Sequence, residues 1–170
     1  IRSRFKKITP IAEMAHIQML CHLLECILIP ANTPADCPKE WHDLYFVFSA
    51  VWAFGSAMFQ DQAVDYRLEF SKWWVNEFKT VKFPATGSVF DYYIDTETKQ
   101  WTSWNELVPK FEMDTDVPLQ SVLVHTSESI RLRFFLDLLM EKKHPVMLVG
   151  IAGCGKTVIV NEKLVTLPET

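Results

Sequence analysis

The chain has 170 residues, of which 49% are hydrophobic and 22% are charged, so it carries enough apolar side chains to build a folded core. Lys and Arg number 17 against 21 Asp and Glu, and the formal charge of −4 disfavours the basic surface that nucleic-acid-binding proteins need. The four cysteines form no C-x-x-C pair, which disfavours a disulfide framework and suits a reducing cytosol. His22 and Cys26 could share one helix face, but a structural zinc site needs four ligands.

Two helices are predicted in the first third of the chain. In residues 11–29 the apolar side chains recur every three or four positions, which is typical of an amphipathic helix, and a proline follows it. Residues 38–58 are apolar nearly all round, which predicts a helix among other helices, with Asp36 as a candidate N-cap and Pro38 in the first turn. The apolar stretch at 44–59 is shorter than the roughly 20 residues that span a bilayer, so we interpret it as core.

A third helix and a hairpin follow. Residues 61–80 predict an amphipathic helix, and the aromatic residues on its buried side are Phe70, Trp73, Trp74 and Phe78. Between residues 90 and 104, large apolar side chains flank a polar turn at 95–99, which predicts a β-hairpin with an aromatic face. Packing between subdomains is the favoured role of that face, and contact with a partner is the alternative. Residues 108–118 predict an extended connector.

The last third of the chain leads into a glycine-rich motif. After a short apolar segment at 119–124, Thr126 or Ser127 can cap a helix over residues 128–142. The predicted inward-facing residues of that helix are Ile130, Phe134 and Leu138, joined by Phe135 and Leu139. The apolar run at 146–149 has the length and composition of a strand buried in a parallel sheet.

Residues 150–157, GIAGCGKT, fit the phosphate-binding pattern G-x-x-x-x-G-K-S/T. The glycines allow close backbone approach and positive φ angles, so that main-chain N–H groups can surround a phosphate at the start of the next helix. Lys156 can reach the terminal phosphates, and Thr157 can offer its hydroxyl to Mg²⁺. The predicted residues of this ATP or ADP site are Gly150, Ile151, Ala152, Gly153, Cys154, Gly155, Lys156, Thr157 and Val158.

A glycine-rich turn with no ligand is the alternative interpretation of this motif. It is disfavoured because such a turn does not require Lys156 and Thr157 directly after the last glycine. We therefore predict a mainly α fold with an incomplete α/β P-loop portion, because one strand and two helices do not make a complete parallel-sheet domain. The predicted parts are a helical subdomain at 1–80, a hairpin connector at 81–117 and the start of the parallel-sheet domain at 118–170.

Long segments of the chain resemble the dynein heavy chain family, most closely its axonemal, outer-arm types. The resemblance covers nearly the whole chain and is carried by ANTPADCPKEWHDLYFVFSAVWAFGSAMFQDQ, DYRLEFSKWWVNEFKT, FDYYID and VPLQSVLVHTSESIRLRFFLDLLMEKKHPVMLVGIAGCGKT. It implies a ring of AAA+ modules, each with an α/β large part followed by a helical small part. By this resemblance residues 1–80 are the helical end of the second module. Residues 118–170 then open the third, nucleotide-binding and regulatory module, with Val124 near the adenine.

The resemblance also implies partners and a location. The parent protein would be an ATP-driven motor that acts on microtubules together with other dynein chains, in the cytoplasm, on the cytoskeleton of the ciliary axoneme. Neighbouring AAA+ modules of the same chain would be its direct contacts, and nucleic acid and membranes would not be partners.

No catalytic residue is assigned within the chain. Hydrolysis needs an acidic residue on a later strand, whereas Asp114, Asp116 and Glu128 precede the loop, so we expect this piece alone to be inactive. Two other functions stay open. One is a non-hydrolysing ring segment that transmits conformational change, and the other is an unrelated P-loop NTPase, which would leave residues 1–80 unexplained.

Overall fold

The computed structural model describes residues 4–111 and 124–167. Within these ranges the elements in chain order are α1 (Glu13–Ile27), α2 (Lys39–Gly55), α3 (Tyr66–Glu77), β1 (Tyr92–Ile94), β2 (Trp101–Ser103), the 3₁₀ helix η1 (Trp104–Leu107), α4 (Ser127–Glu141) and α5 (Lys156–Val165). The predicted mainly α class is confirmed, and each predicted helix is present with its ends shifted by a few residues. Most of the predicted connector at 108–118 and of the apolar segment at 119–124 lies outside the described residues.

α1 packs against α2 through one buried face. The buried residues of α1 are His16, Leu23, Cys26 and Ile27. The imidazole Nδ1 of His16 lies 2.7 Å from the carbonyl oxygen of Ala53, so the ring donates a buried hydrogen bond to the end of α2. The helix ends ahead of Pro30, and the Asn32 side chain donates to the freed carbonyl of Ile27 at 2.9 Å.

α2 is the central helix and is buried on nearly every side. Its buried residues are Leu44, Tyr45, Val47, Phe48, Ser49, Ala50, Val51, Trp52, Ala53 and Gly55. A Cβ at Gly55 would lie 2.5 Å from the ring of Phe90, so glycine is required where the two approach. The predicted N-cap Asp36 is wrong, because the N-cap is Pro38, two positions beyond Asp36, and the helix begins at Lys39. Among the described residues, no helix combines the length and the apolar character needed to cross a bilayer.

α3 begins at Tyr66, five residues later than predicted. The carboxylate of Asp65 accepts hydrogen bonds from the N–H groups of Arg67 and Leu68, both at 3.0 Å, and so caps the helix. The residues before Asp65 form a separate turn.

The buried side of α3 is largely as predicted. Phe70 and Trp74 are 0% and 6% exposed, and Trp73 packs partly buried against the same cluster. Phe78 is 46% exposed, so its predicted burial is wrong. The helix ends at Glu77 and the backbone of Phe78 is extended, and its ring still contacts Trp73 and Trp74, with centroids 5.6 and 4.5 Å away, while part of it stays open to solvent.

The turn before α3 makes the stability of the fold sensitive to acid. The Asp61 carboxylate accepts hydrogen bonds from the N–H groups of Ala63 and Val64, at 2.9 and 2.8 Å, and pairs with Lys6 at 3.2 Å. These contacts, the backbone ones foremost, lower the pKa of Asp61 from 3.8 to about 2. Because the pKa of Asp61 is lower in the folded than in the unfolded chain, its carboxylate stabilises the fold at pH values above the unfolded-state pKa. This stabilisation is lost as the pH falls through the folded-state pKa.

We therefore expect Asp61→Asn to be less stable than the unsubstituted chain at pH 6, by a margin that shrinks between about pH 4 and pH 2. Urea unfolding across this pH range measures the margin. A margin that stays constant down to pH 2 would contradict the role given to this carboxylate.

β1 and β2 form the predicted hairpin. Its antiparallel register pairs Tyr92 with Ser103, Tyr93 with Thr102 and Ile94 with Trp101. The Asp95 carboxylate closes the turn by accepting a hydrogen bond from the N–H of Thr98 at 2.7 Å. Trp104, directly after β2, is 1% exposed and meets the ring of Phe134 edge to face, with centroids 5.2 Å apart. The aromatic face thus packs the hairpin onto α4, as the favoured interpretation predicts.

α4 begins at Ser127 behind a capping box. The Thr126 hydroxyl accepts from the N–H of Ser129 at 3.2 Å, and the Ser129 hydroxyl accepts from the N–H of Thr126 at 2.9 Å. Of the predicted inward residues, Leu139 is buried, and the ones that pack partly buried against the core are Ile130, Phe134, Phe135 and Leu138. The burial of Arg131, which is 6% exposed, was not predicted, because a charged side chain is assigned to solvent by default.

The predicted buried strand at 146–149 is wrong for the described fold. Residues 144–150 have no regular secondary structure, and Met147 and Val149 are 76% and 45% exposed. A strand exists through hydrogen bonds to a neighbouring strand, and none of the described residues pairs with this run. The apolar composition is that of a strand, but the partner that would make it one is not among the described residues.

Candidate phosphate-binding site

The glycine-rich motif forms a turn that ends at the start of α5. Gly153 and Gly155 have φ angles of +79° and +84°, in the left-handed region that glycine adopts without strain. Gly155 is the N-cap of α5, and the helix proper begins at Lys156. A Cβ placed on Gly153 or Gly155 would meet no atom within 4 Å. The main chain at both glycines therefore borders open space, from which a ligand can approach it closely.

The first turn of α5 supplies backbone donors at this point. The opening N–H groups of a helix have no acceptor within it, and here they belong to Lys156, Thr157 and Val158. The first N–H that bonds back is that of Ile159, which donates to the Gly155 carbonyl at 3.2 Å. No side chain caps α5, so the free N–H groups and the positive end of the helix dipole face any anion at the loop.

Lys156 folds back over the loop. Its Nζ donates to the carbonyl oxygens of Gly150 and Ile151 at 2.9 and 2.7 Å, and lies 3.4 Å from the Cys154 Sγ. The ammonium group is therefore held above the loop that the glycines open, and not inside a packed core. Its three N–H donors can turn to phosphate oxygens, which are stronger acceptors than carbonyls because they are charged.

The residues after the lysine divide between solvent and core. Thr157 is exposed, Val158 is 45% exposed, and Ile159 anchors the helix at 8% exposure. The Thr157 hydroxyl suits Mg²⁺, which takes oxygen ligands and is commonly bound through few protein groups together with substrate phosphates. In the described part of the chain, no group of three or more His, Cys, Asp or Glu could hold a metal ion. The other oxygen ligands of a bound Mg²⁺ would come from the nucleotide and from water.

The remaining predicted loop residues lie at the surface. Ile151, Ala152 and Cys154 are exposed. Gly150 packs so closely on Cys154 that a Cβ there would lie 2.7 Å from the Sγ, so the tight turn depends on this glycine as well. The structure thus brings together all the motif residues that the sequence predicts.

Ion pairs hold α5 against α4, and a histidine contact holds it against the segment before α4. Arg133 of α4 pairs with Glu162 of α5, and Lys163 Nζ lies 2.6 Å from Asp137 Oδ1. His125 Nε2 lies 3.5 Å from the same Glu162 carboxylate. These pairs were not predicted from the sequence because the partners lie on separate helices. Only the spacing of Arg133 and Asp137, four residues apart on α4, gave a local signal.

Val124, predicted beside the adenine, is 52% exposed and precedes His125. The pair between His125 and Glu162 places this segment against α5. The adenine contact itself stays a prediction, and its neighbours at 122 and 123 lie outside the described residues.

Comparison with known proteins accounts for both halves of the chain. Residues 1–106 match the family described as "Dynein heavy chain AAA lid domain", and residues 111–170 match "P-loop containing dynein motor region". The chain belongs to the dynein heavy chain family. This membership accounts for the helical residues ahead of the loop and overturns the alternative of an unrelated P-loop NTPase.

Relatives within the family carry ciliary, axonemal and flagellar names. The chain is 64% identical to "Dynein beta chain, ciliary" of Heliocidaris crassispina over 99% of its length, and 62% identical to "Dynein axonemal heavy chain 9" of Homo sapiens over 98%. It is 37% identical to "Dynein alpha chain, flagellar outer arm" of Chlamydomonas reinhardtii over 99%. In each case the chain spans about 4% of the relative's length. The predicted axonemal dynein resemblance is confirmed.

Proposed function

We propose that this chain is the part of an axonemal dynein heavy chain in which the helical end of the second AAA+ module leads into the nucleotide site of the third. Its local function is to bind ATP or ADP with Mg²⁺ through residues 150–158. Within the parent motor, the site acts as a regulatory nucleotide site in the ciliary axoneme. Neighbouring AAA+ modules, microtubules and other dynein chains are the proposed partners of that motor.

One observation carries this proposal. Gly153 and Gly155 hold left-handed backbone angles with open space beside them, and the Lys156 ammonium group lies over the same turn. Backbone donors, a helix N-terminus and a cation thus converge on one small volume, which is the arrangement that a polyphosphate requires. Chain reversal alone does not require a lysine directly after the last glycine of the turn.

Each group has a separate part in binding. The N–H groups of Lys156, Thr157 and Val158 donate to phosphate oxygens, and the ammonium of Lys156 neutralises charge on the terminal phosphates. The Thr157 hydroxyl is the proposed protein ligand of Mg²⁺, and the metal, when bound, further neutralises the phosphates. His125 and the ion pairs from α4 hold α5, so that its N-terminus stays aimed at the phosphates.

Binding of Mg²⁺-ATP and Mg²⁺-ADP to Lys156→Ala tests the proposal. A hydrogen bond to a charged group contributes about 1.5–3 kcal/mol, so we expect affinity to fall by roughly 10- to 100-fold. Titration calorimetry measures the loss, and Lys79→Ala, which removes an exposed lysine far along the chain, is the matched control. Equal affinities of Lys156→Ala and the unsubstituted chain would show that the Lys156 side chain does not take part in nucleotide binding.

A further inference from the structure

A buried guanidinium joins the helical residues to the helix that leads to the phosphate loop. Arg131, on α4, is 6% exposed and donates from NH1 to the carbonyl oxygen of Phe90 at 3.0 Å. Its guanidinium carbon lies 5.5 Å from the ring centroid of Trp52 on α2. The same guanidinium pairs with Glu128, one turn earlier on α4. Arg131 lies in the P-loop region (residues 111–170) and contacts two separate parts of the lid region (residues 1–106), which are α2 and the loop at Phe90.

We call the contacts of Arg131 with Phe90, Trp52 and Glu128 the joint. Within it, the carbonyl oxygen of Phe90 has no free acceptor position. It accepts from Arg131 and also from the indole N–H of Trp104 at 3.1 Å, which occupies both of its lone pairs. The Glu128 carboxylate is shared in turn with Arg67 of α3 at 3.4 Å, so α3 is tied to α4 as well. A buried charge with satisfied partners is costly to disrupt, because loss of one partner leaves the other groups buried without a hydrogen-bond or charge partner.

The opposite side of α4 is bonded to the phosphate-binding helix. Arg133 pairs with Glu162, and Asp137 lies 2.6 Å from the ammonium of Lys163, both partners being on α5. α4 is thus held by ion pairs on the α5 side and by Arg131 on the lid side. If a ligand at its N-terminus displaces α5, these contacts connect α5 through α4 to the lid region.

We propose that Arg131 is a positioning residue that couples nucleotide occupancy at the loop to the conformation of the lid region at Phe90 and Trp104. This inference rests on the proposed nucleotide binding and adds a residue that touches no ligand. Lysine cannot replace it, because one planar guanidinium serves Phe90 and Glu128 in two directions while an ammonium is a single point charge. Coupling between two sites is reciprocal, so changes at the joint also reach the loop.

Amide hydrogen exchange of the whole chain, with and without Mg²⁺-ATP, tests the coupling. In the unsubstituted chain we expect slower exchange both in residues 150–158 and in the lid segments around 89–91 and 102–105, the latter by roughly fivefold or more. In Arg131→Lys we expect the slowing at 150–158 to persist and the slowing in the lid segments to disappear. Glu128→Gln, which removes the half-exposed counter-charge and is less disruptive to folding, should reduce the lid response in the same direction.

A variant that destabilises the lid without touching the joint is the control. Leu23, 1% exposed on α1, is such a site, and Leu23→Ala should keep the nucleotide-dependent slowing of the lid segments although its basal exchange is faster. Loop slowing without lid slowing in the unsubstituted chain would overturn the coupling and leave nucleotide binding intact. Full lid slowing in both Arg131→Lys and Glu128→Gln would also overturn it. No slowing at the loop would overturn the proposed function, and the coupling with it.

Discussion

Gly155→Ala is expected to weaken nucleotide binding by roughly 100-fold, equivalent to about 3 kcal/mol, through the loss of two charge-assisted hydrogen bonds. Gly155 has a φ of +84°, where an alanine costs about 1–2 kcal/mol of backbone strain. Its added Cβ would point into the open space beside the loop, where it meets no protein atom within 4 Å. The methyl group would therefore obstruct the approach of a phosphate to the main chain, and relaxation of the strain would move the first amides of α5.

A glycine outside the loop provides a control that separates the effect of backbone strain from the effect on nucleotide binding. Gly87 has a similar φ of +73° in the loop before the hairpin, and a Cβ there would lie 2.8 Å from the Asp91 carboxylate. Gly87→Ala should therefore destabilise the fold and leave affinity for Mg²⁺-ATP unchanged. Calorimetric titration of both variants measures the contrast. Equal losses of affinity in Gly155→Ala and Gly87→Ala would mean that the loss at Gly155 comes from lower stability of the fold and not from a changed phosphate site.

Phe70→Ala is expected to cost about 3–5 kcal/mol of unfolding free energy, the largest loss of stability that we predict for a single side chain. Phe70 is 0% exposed and lies at the meeting point of α3 with the loop before the hairpin. Its ring contacts Phe5, Trp73, Trp74 and Phe90, with centroids 5.6 to 5.8 Å apart. Truncation leaves a cavity that these rings cannot fill without leaving their own contacts.

The same substitution at an exposed phenylalanine is the control. Phe46 of α2 is 50% exposed, so Phe46→Ala should change the free energy of unfolding by less than about 1 kcal/mol. Urea unfolding followed by tryptophan fluorescence gives both values, provided that the denaturant slope is unchanged. Losses of similar size at the two positions would show that the cluster around Phe70 is not the core of the fold.

Local patterns predicted the parts of this structure that local forces decide. The helices follow from apolar spacing, and the hairpin follows from large side chains on either side of the turn at Asp95. The turn at residues 150–157 was predictable because its conformation depends on glycines and on one lysine within a few positions, and phosphate binding by these residues stays a prediction. The backbone conformation of such a short motif is decided by residues within the motif itself.

The features that sequence reasoning missed depend on residues far apart in the chain. The strand predicted at 146–149 needs a hydrogen-bonding neighbour, which composition alone cannot supply. The start of α3 depends on which of two aspartates caps it, and Asp61 makes its own turn while Asp65 takes that role. Arg131 is buried because Phe90 and Trp52 meet it from other elements, and nothing within α4 indicates this.

The most direct test of the central claim is to follow the backbone amide resonances of the loop during titration with Mg²⁺-ATP. If the amides of Lys156, Thr157 and Val158 bind phosphate, their proton shifts should move together and saturate at one common affinity, while those of the exposed turn at Asp95 stay fixed. Saturable binding that leaves these three amide shifts unchanged, or no binding at all, would contradict the assignment of this loop as the phosphate site.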